Sequence, residues 1–219
     1  MIRILLTLLA SAGLAHAQLV EPGPAGIAMG HVHLNVSDVA AQREFWVKQF
    51  DAKPVERGGM SGVLVPGMLI LFTPKAPTHG SEGTVLDHFG FKVRSREEML
   101  QRARAAGLTI GRVFIGSEGF PNAYVFGPDG VKVEMQEDTT LAVRAEAQHF
   151  HFLLPDPLVL RAWYVEKFGM TATTRGPPCL TGPSWRTSAR VGYWVTYIRG
   201  VGDAPGAAVA GPSATGPGR

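Results

Sequence analysis

The chain has 219 residues, 45% of them hydrophobic, which is enough for one large domain or two small ones with a real core. Its 21 Lys and Arg against 18 Asp and Glu leave a net charge of +3 with no basic block, so neither nucleic acid nor an anionic membrane surface is expected as a partner. Cys179 is the only cysteine, which excludes an internal disulfide framework, and there is no P-loop, dinucleotide glycine fingerprint or Gly-x-Ser-x-Gly elbow.

Residues 1–17 read as a signal peptide: Arg3 supplies the positive start, Ile4 to Leu14 the apolar run, and Ala15-His16-Ala17 a small-x-small cleavage site. The run is shorter than the roughly 20 residues of a membrane span, so no stable membrane anchor is expected. The expected location is secreted or periplasmic, after cleavage near Ala17, with residues 18–26 as a linker.

A repeated unit follows. HVHLNVSD from His31, HFGFKVRS from His88 and HFHFLLPD from His149 each carry apolar residues at +3 and +5 and a helix-start residue at +7. In the first unit (27–83) a strand is expected at Ala28 to Val36. A helix capped by Ser37 or Asp38 should run to Phe50, burying Val39, Trp46 and Phe50. Two strands, Ser61 to Val65 and Met68 to Phe72, flank a Pro66-Gly67 turn, and the order reads βαβββ.

The second unit (84–144) repeats the order. Its strand spans Val85 to Val93, and its helix Ser95 to Ala106 is stopped by Gly107. Strands follow at Thr109 to Ile115, Asn122 to Phe126 and, after a Pro128-Asp129-Gly130 turn, Val131 to Gln136. A partial third module is expected over 145–175, where Trp163-Tyr164 and Phe168 echo Phe45-Trp46 and Phe50. From 176 to 219 the chain is expected to be irregular, and from Asp203 it is mostly Gly, Ala, Pro and Ser. A shifted reading frame and a native flexible tail both account for that composition.

Strand parity sorts the side chains. His31, His33 and Asn35 share one face of the first strand; His88, Gly90 and Lys92 share one face of the second unit's first strand. Lys132, Glu134 and Gln136 share one face of its last. Taken singly, a strand histidine is usually an ordinary surface or packed residue and not a ligand. Together, His31, His88 and Glu134 form a two-His, one-carboxylate set suited to a divalent metal with open positions. His33, Asn35, Lys92 and Lys132 would line the pocket, or simply be solvated.

On these motifs, Ile27 to Glu137 resembles the vicinal oxygen chelate superfamily, which includes glyoxalase I, extradiol dioxygenases, fosfomycin-resistance thiol transferases and bleomycin-binding proteins. The resemblance implies an α+β fold in which paired βαβββ modules form a curled mixed-sheet cup with helices outside, here a domain at 27–144 plus the partial third module. It implies one divalent metal, Fe(II), Mn(II), Zn(II) or Ni(II), on His31 (HVHLNVSD), His88 (DHFGFKV) and Glu134 (GPDGVKVEMQ). The carboxylate that glyoxalase I uses as a fourth ligand falls near Leu71, a departure from that metal shell. Tyr124 and His79 are the candidate catalytic groups, a strand Tyr and a loop acid/base; the alternatives are a pocket-wall Tyr with no catalytic part and an ordinary loop His. His149 and His151 repeat the histidine pair and, lacking a partner module, are expected to bind nothing.

The implied function is metal-dependent chemistry on a small molecule with vicinal oxygens, leaning to dioxygenase or lyase type. A fosfomycin-resistance-like thiol transferase and a non-catalytic bleomycin-type binding protein are the alternatives. Cups of this kind close within one chain or across a homodimer.

Overall fold

The computed structural model describes residues 31–116, 118–173, 179–181, 185–187, 190–192 and 195–200. The expected signal peptide and linker, and the tail from 201 onward, lie outside the described residues.

The first module runs β1 (His31–Val36), α1 (Val39–Phe50), β2 (Lys53–Arg57), β3 (Met60–Val65) and β4 (Met68–Pro74). Asp38 starts α1 because its carboxylate accepts the otherwise orphaned N–H groups of Ala40 and Ala41. The four strands form a sheet in the order β1-β4-β3-β2, with β1 parallel to β4 at the end.

The second module runs β5 (Leu86–Val93), α2 (Arg96–Ala105), β6 (Thr109–Ile115), β7 (Pro121–Phe126) and β8 (Lys132–Glu137). Ser95 caps α2. At its other end Gly107, at φ +67°, donates to Arg104 while Leu108 donates to Ala103, the paired bonds of a Schellman stop.

The third module corrects the sequence expectation. It runs β9 (Ala145–Leu154), α3 (Pro157–Phe168), β10 (Thr171–Thr173), β11 (Cys179–Thr181), a β12–β13 hairpin (Trp185–Thr187, Arg190–Gly192) and β14 (Val195–Gly200). The order β9-β14-β11-β10 matches β1-β4-β3-β2 and β5-β8-β7-β6. The module is therefore complete, with strands where an irregular segment was expected from 176. Alternation breaks off there because the closing strand arrives only after an inserted hairpin.

Modules two and three join through β5 and β9, antiparallel at the centre of an eight-stranded sheet. Module one packs behind them. Trp46 of α1 is fully buried, with its ring centroid 5.7 Å from that of Phe91, and Phe50 lies 5.0 Å from Phe91. The apolar sides of β1, β4, β5 and β8 thus share one core. Since β1 and β5 both turn their apolar faces to this core, both polar faces point away from it. Among the described residues no helix is long and apolar enough to cross a membrane.

Candidate metal centre

The β5–β9 ladder carries two register shifts, and each places an extra residue directly before a histidine. Leu86 pairs with Phe152 and His88 with His151, so Asp87 is the bulged residue on β5. Gly90 pairs with His149 and Phe91 with Ala147, so Gln148 is the bulged residue on β9. Both bulged side chains turn to the histidine that follows. His88 Nδ1 donates to Asp87 Oδ1 at 2.5 Å, and His149 Nδ1 donates to Gln148 Oε1 at 2.9 Å. Carboxylate and amide oxygens only accept, so these bonds direct both Nε2 lone pairs to the other side.

That other side is Glu134. On β8 it pairs with Gly90, and its Oε2 lies 2.9 Å from His88 Nε2 and 3.2 Å from His149 Nε2. Gly90 makes this convergence sterically feasible: a Cβ there would fall 1.9 Å from Cε1 of the His149 ring. Asn122 Nδ2 donates to Glu134 Oε1 at 2.6 Å. His151 Nδ1 stands 3.2 Å from His88 Nε2. One donor atom from each of His88, Glu134, His149 and His151 lies within 4.8 Å of the other three. His88 and His149 are 3% exposed and Glu134 7%, a degree of burial that charged groups accept only when compensated.

The titration behaviour follows from this geometry. Burial opposes the charged form of Glu134, but the interactions of His149 and His88 with its oxygens outweigh it and hold the carboxyl well below its usual range. Burial also works against Asp87, and bonds from His88, the Gly83 N–H and Lys132 overcome it. Burial pushes His149 down, leaving its imidazole neutral. His88 is likewise desolvated, but Asp87 and Glu134 raise it, so the local field favours a positive charge at its Nε2. A neutral imidazole, an ionised carboxylate and a second imidazole in a field that favours positive charge are what a divalent cation requires.

The spacings agree with that chemistry. Donors bonded to one ion at about 2.1 Å stand about 3.0 Å apart at right angles and about 3.4 Å apart at the tetrahedral angle. The residues present therefore fit a metal ion.

The structure brings His88 and Glu134 together and leaves His31 apart. His31 lies on the other sheet with its side chain exposed, as do His33 and Asn35, because module one meets module two back to back. His149, expected to bind nothing, is the second histidine that meets Glu134, because β9 of module three pairs with β5 of module two. Tyr124 is near, its ring 5.2 Å from that of His88 and stacked on Phe114. His79 is exposed in its loop, against the Gly80 carbonyl, and outside the cluster. Lys132 is committed to Asp87 at 3.0 Å and Glu82 at 2.9 Å, and Lys92 lies over the Phe120 ring at 4.3 Å. A signal for His149 was present. In AEAQHFHF the apolar phase slips between Ala147 and Phe150, marking a bulge before the histidine pair.

Among curated proteins no relative matches the chain. Of solved structures, glyoxalase I from Zea mays is 14% identical, with a TM-score of 0.61 over 79% of this chain and 68% of that one, a likeness of fold. The fosfomycin resistance protein FosX from Listeria monocytogenes is 19% identical over 52% of this chain and 95% of its own, at a TM-score of 0.45. A FosX mutant crystallised with Mn(II) and 1S,2S-dihydroxypropylphosphonic acid is 18% identical over 50% and 88%, at 0.42. Residues 28–135 match the model of the Glyoxalase/Bleomycin resistance protein/Dioxygenase superfamily. Over that span, which holds β1 to the Glu134 strand, the chain belongs to this superfamily.

Proposed function

We propose that the pairing of modules two and three builds a single divalent-metal centre on His88, Glu134 and His149, and that the protein acts there on a small molecule with vicinal oxygens. The observation that carries this reading is the convergence of three buried donors, 2.9 Å and 3.2 Å apart, from the first strands of two modules and the last strand of one. A metal so held would act as a Lewis acid on substrate oxygen and stabilise negative charge developing there. The chain's own groups divide the remaining work. Asp87 and Gln148 hold the imidazoles of His88 and His149 in the ligating tautomer, and Asn122 fixes the Glu134 carboxylate. Of the two expected catalytic groups, Tyr124 is the one that stands beside His88. Dioxygenase or lyase chemistry is the reaction class we favour. The leader pattern of residues 1–17 supports export, so the metal would be acquired outside the cytoplasm.

Metal content by mass spectrometry on purified protein, beside His149→Ala and Glu134→Ala, tests the centre. About one ion per chain, lost in both variants, is expected. No ion after supplying iron, manganese, zinc and nickel in turn would leave a binding protein of the bleomycin type.

A further inference from the structure

We infer that His151 is a fourth protein ligand of this centre, making the donor set three imidazoles and one carboxylate. The inference rests on the metal reading of His88, Glu134 and His149 and adds a residue that the two-His, one-carboxylate pattern does not contain.

The placement follows from the sheet. His149 and His151 are two apart on β9, so they share a face. The shift at Asp87 sets His151 directly across from His88, while His149 crosses the bare Gly90 to reach Glu134. One strand thus delivers two imidazoles to one point from different rows. His151 Nδ1 approaches His88 Nε2 to 3.2 Å, with ring centroids 4.5 Å apart. The His88 Nδ1 proton is engaged by Asp87, so the atom His151 faces is the same lone pair that points at Glu134. Two ring nitrogens and a carboxylate oxygen facing one another at this range are a donor arrangement that one shared cation would bridge. A cation bound by all four would satisfy every one of them; the donor atoms lie within 4.8 Å of one another, so a small side-chain shift brings any pair inside the ~4.2 Å that a shared ion at ~2.1 Å allows.

Two consequences distinguish this centre from a three-ligand one. A third imidazole selects for ions that take nitrogen readily, zinc, nickel, copper or iron, over manganese, magnesium or calcium. A six-coordinate ion with four protein ligands also keeps two positions, enough for one chelating substrate, which favours the lyase side of the proposed chemistry over a dioxygenase that must also place O₂ on the ion.

The test is X-ray absorption spectroscopy on the zinc- or nickel-loaded full chain, with metal titrations of wild type, His151→Ala and His151→Gln. Three imidazole scatterers are expected in wild type and two in both variants. Zinc affinity should fall at least about tenfold in the variants, the lower bound for losing even an outer partner, and manganese affinity by less. Two imidazole scatterers in wild type would overturn the inference without needing any variant to fold. So would variants that bind zinc as wild type does while His149→Ala loses it; the three-residue centre would then stand. A wild-type chain that takes up no ion would overturn both.

Discussion

The first strands of modules one and three carry the same His-x-His pair in the same repeat, HVHLNV and HFHFLL, with opposite results. In β9, His149 is buried and joined to Glu134, and His151 meets His88. In β1, His31 and His33 are exposed, ring centroids 4.8 Å apart, and β4 is the strand's one ladder partner among the described residues. Parity assigns a histidine to a polar face in both cases. What differs is the neighbour: β9 lies against a strand that brings Asp87, His88 and the bare Gly90, and next to that strand stands Glu134. A ligand position is therefore a property of a strand pair. The sequence repeat specifies only half of it.

The strongest way to break this contrast is to remove the charge at its centre. Glu134→Gln keeps the shape and loses the anion, so metal uptake should disappear over the concentration range that saturates wild type, as equilibrium dialysis would record. Retained uptake would place the ion elsewhere and erase the distinction between the two strands. Next comes Gly90→Ala. The added methyl would occupy the space of the His149 ring, so at least the roughly hundredfold loss seen for the strongest outer-partner mutations is expected. A crystal structure should show the ring swung away from Glu134. If it stayed in place with affinity intact, the bare glycine would not be what lets β9 reach across β5.

The bulged residues sharpen the comparison further, because among the described residues the β1–β4 ladder runs without a register shift from His31 to Val36. Asp87→Asn leaves an oxygen for the His88 Nδ1 proton but removes the charge and strands Lys132 with Glu82 alone. About a tenfold to hundredfold loss of metal affinity is expected, and about tenfold or less for Gln148→Ala, whose oxygen is neutral. Nitrogen-15 chemical shifts of His88 and His149 should report loss of the fixed tautomer in each variant. A variant with weakened binding but unchanged tautomer shifts would contradict the orienting role.

Much of the local structure was legible in the chain itself. The caps at Asp38 and Ser95, the stop at Gly107 and the polar faces of β5 and β8 all follow from residue type and period. His88 and Glu134 came from that same parity. Strand β2 was not located, since KPVER is mostly exposed and has no apolar alternation to read. The pairing of modules was not legible either. It depends on Trp46 and Phe50 of α1 finding Phe91 behind β5, a contact between two apolar faces that the period alone cannot order. The bulges did leave a trace. Apolar positions change phase between Leu86 and Phe89 and again between Ala147 and Phe150, and a strict period of two reads through both slips.

The smallest expected effect is the most discriminating for the contrast between β1 and β9. His31 and His33 touch each other and solvent on a face turned away from the shared core. Replacing either with Ala removes no buried group, so stability should change by no more than about 0.5 kcal/mol. Affinity at the buried centre should be unchanged in both, measured by competition with a chelator on the full chain. His31 was the residue that the repeat, the register and the resemblance all nominated as a ligand. A loss of the ion in His31→Ala comparable to that in His149→Ala would mean that modules one and two close a cup after all. An unchanged ion would mean that the same His-x-His pair differs in function because one copy has β5 beside it.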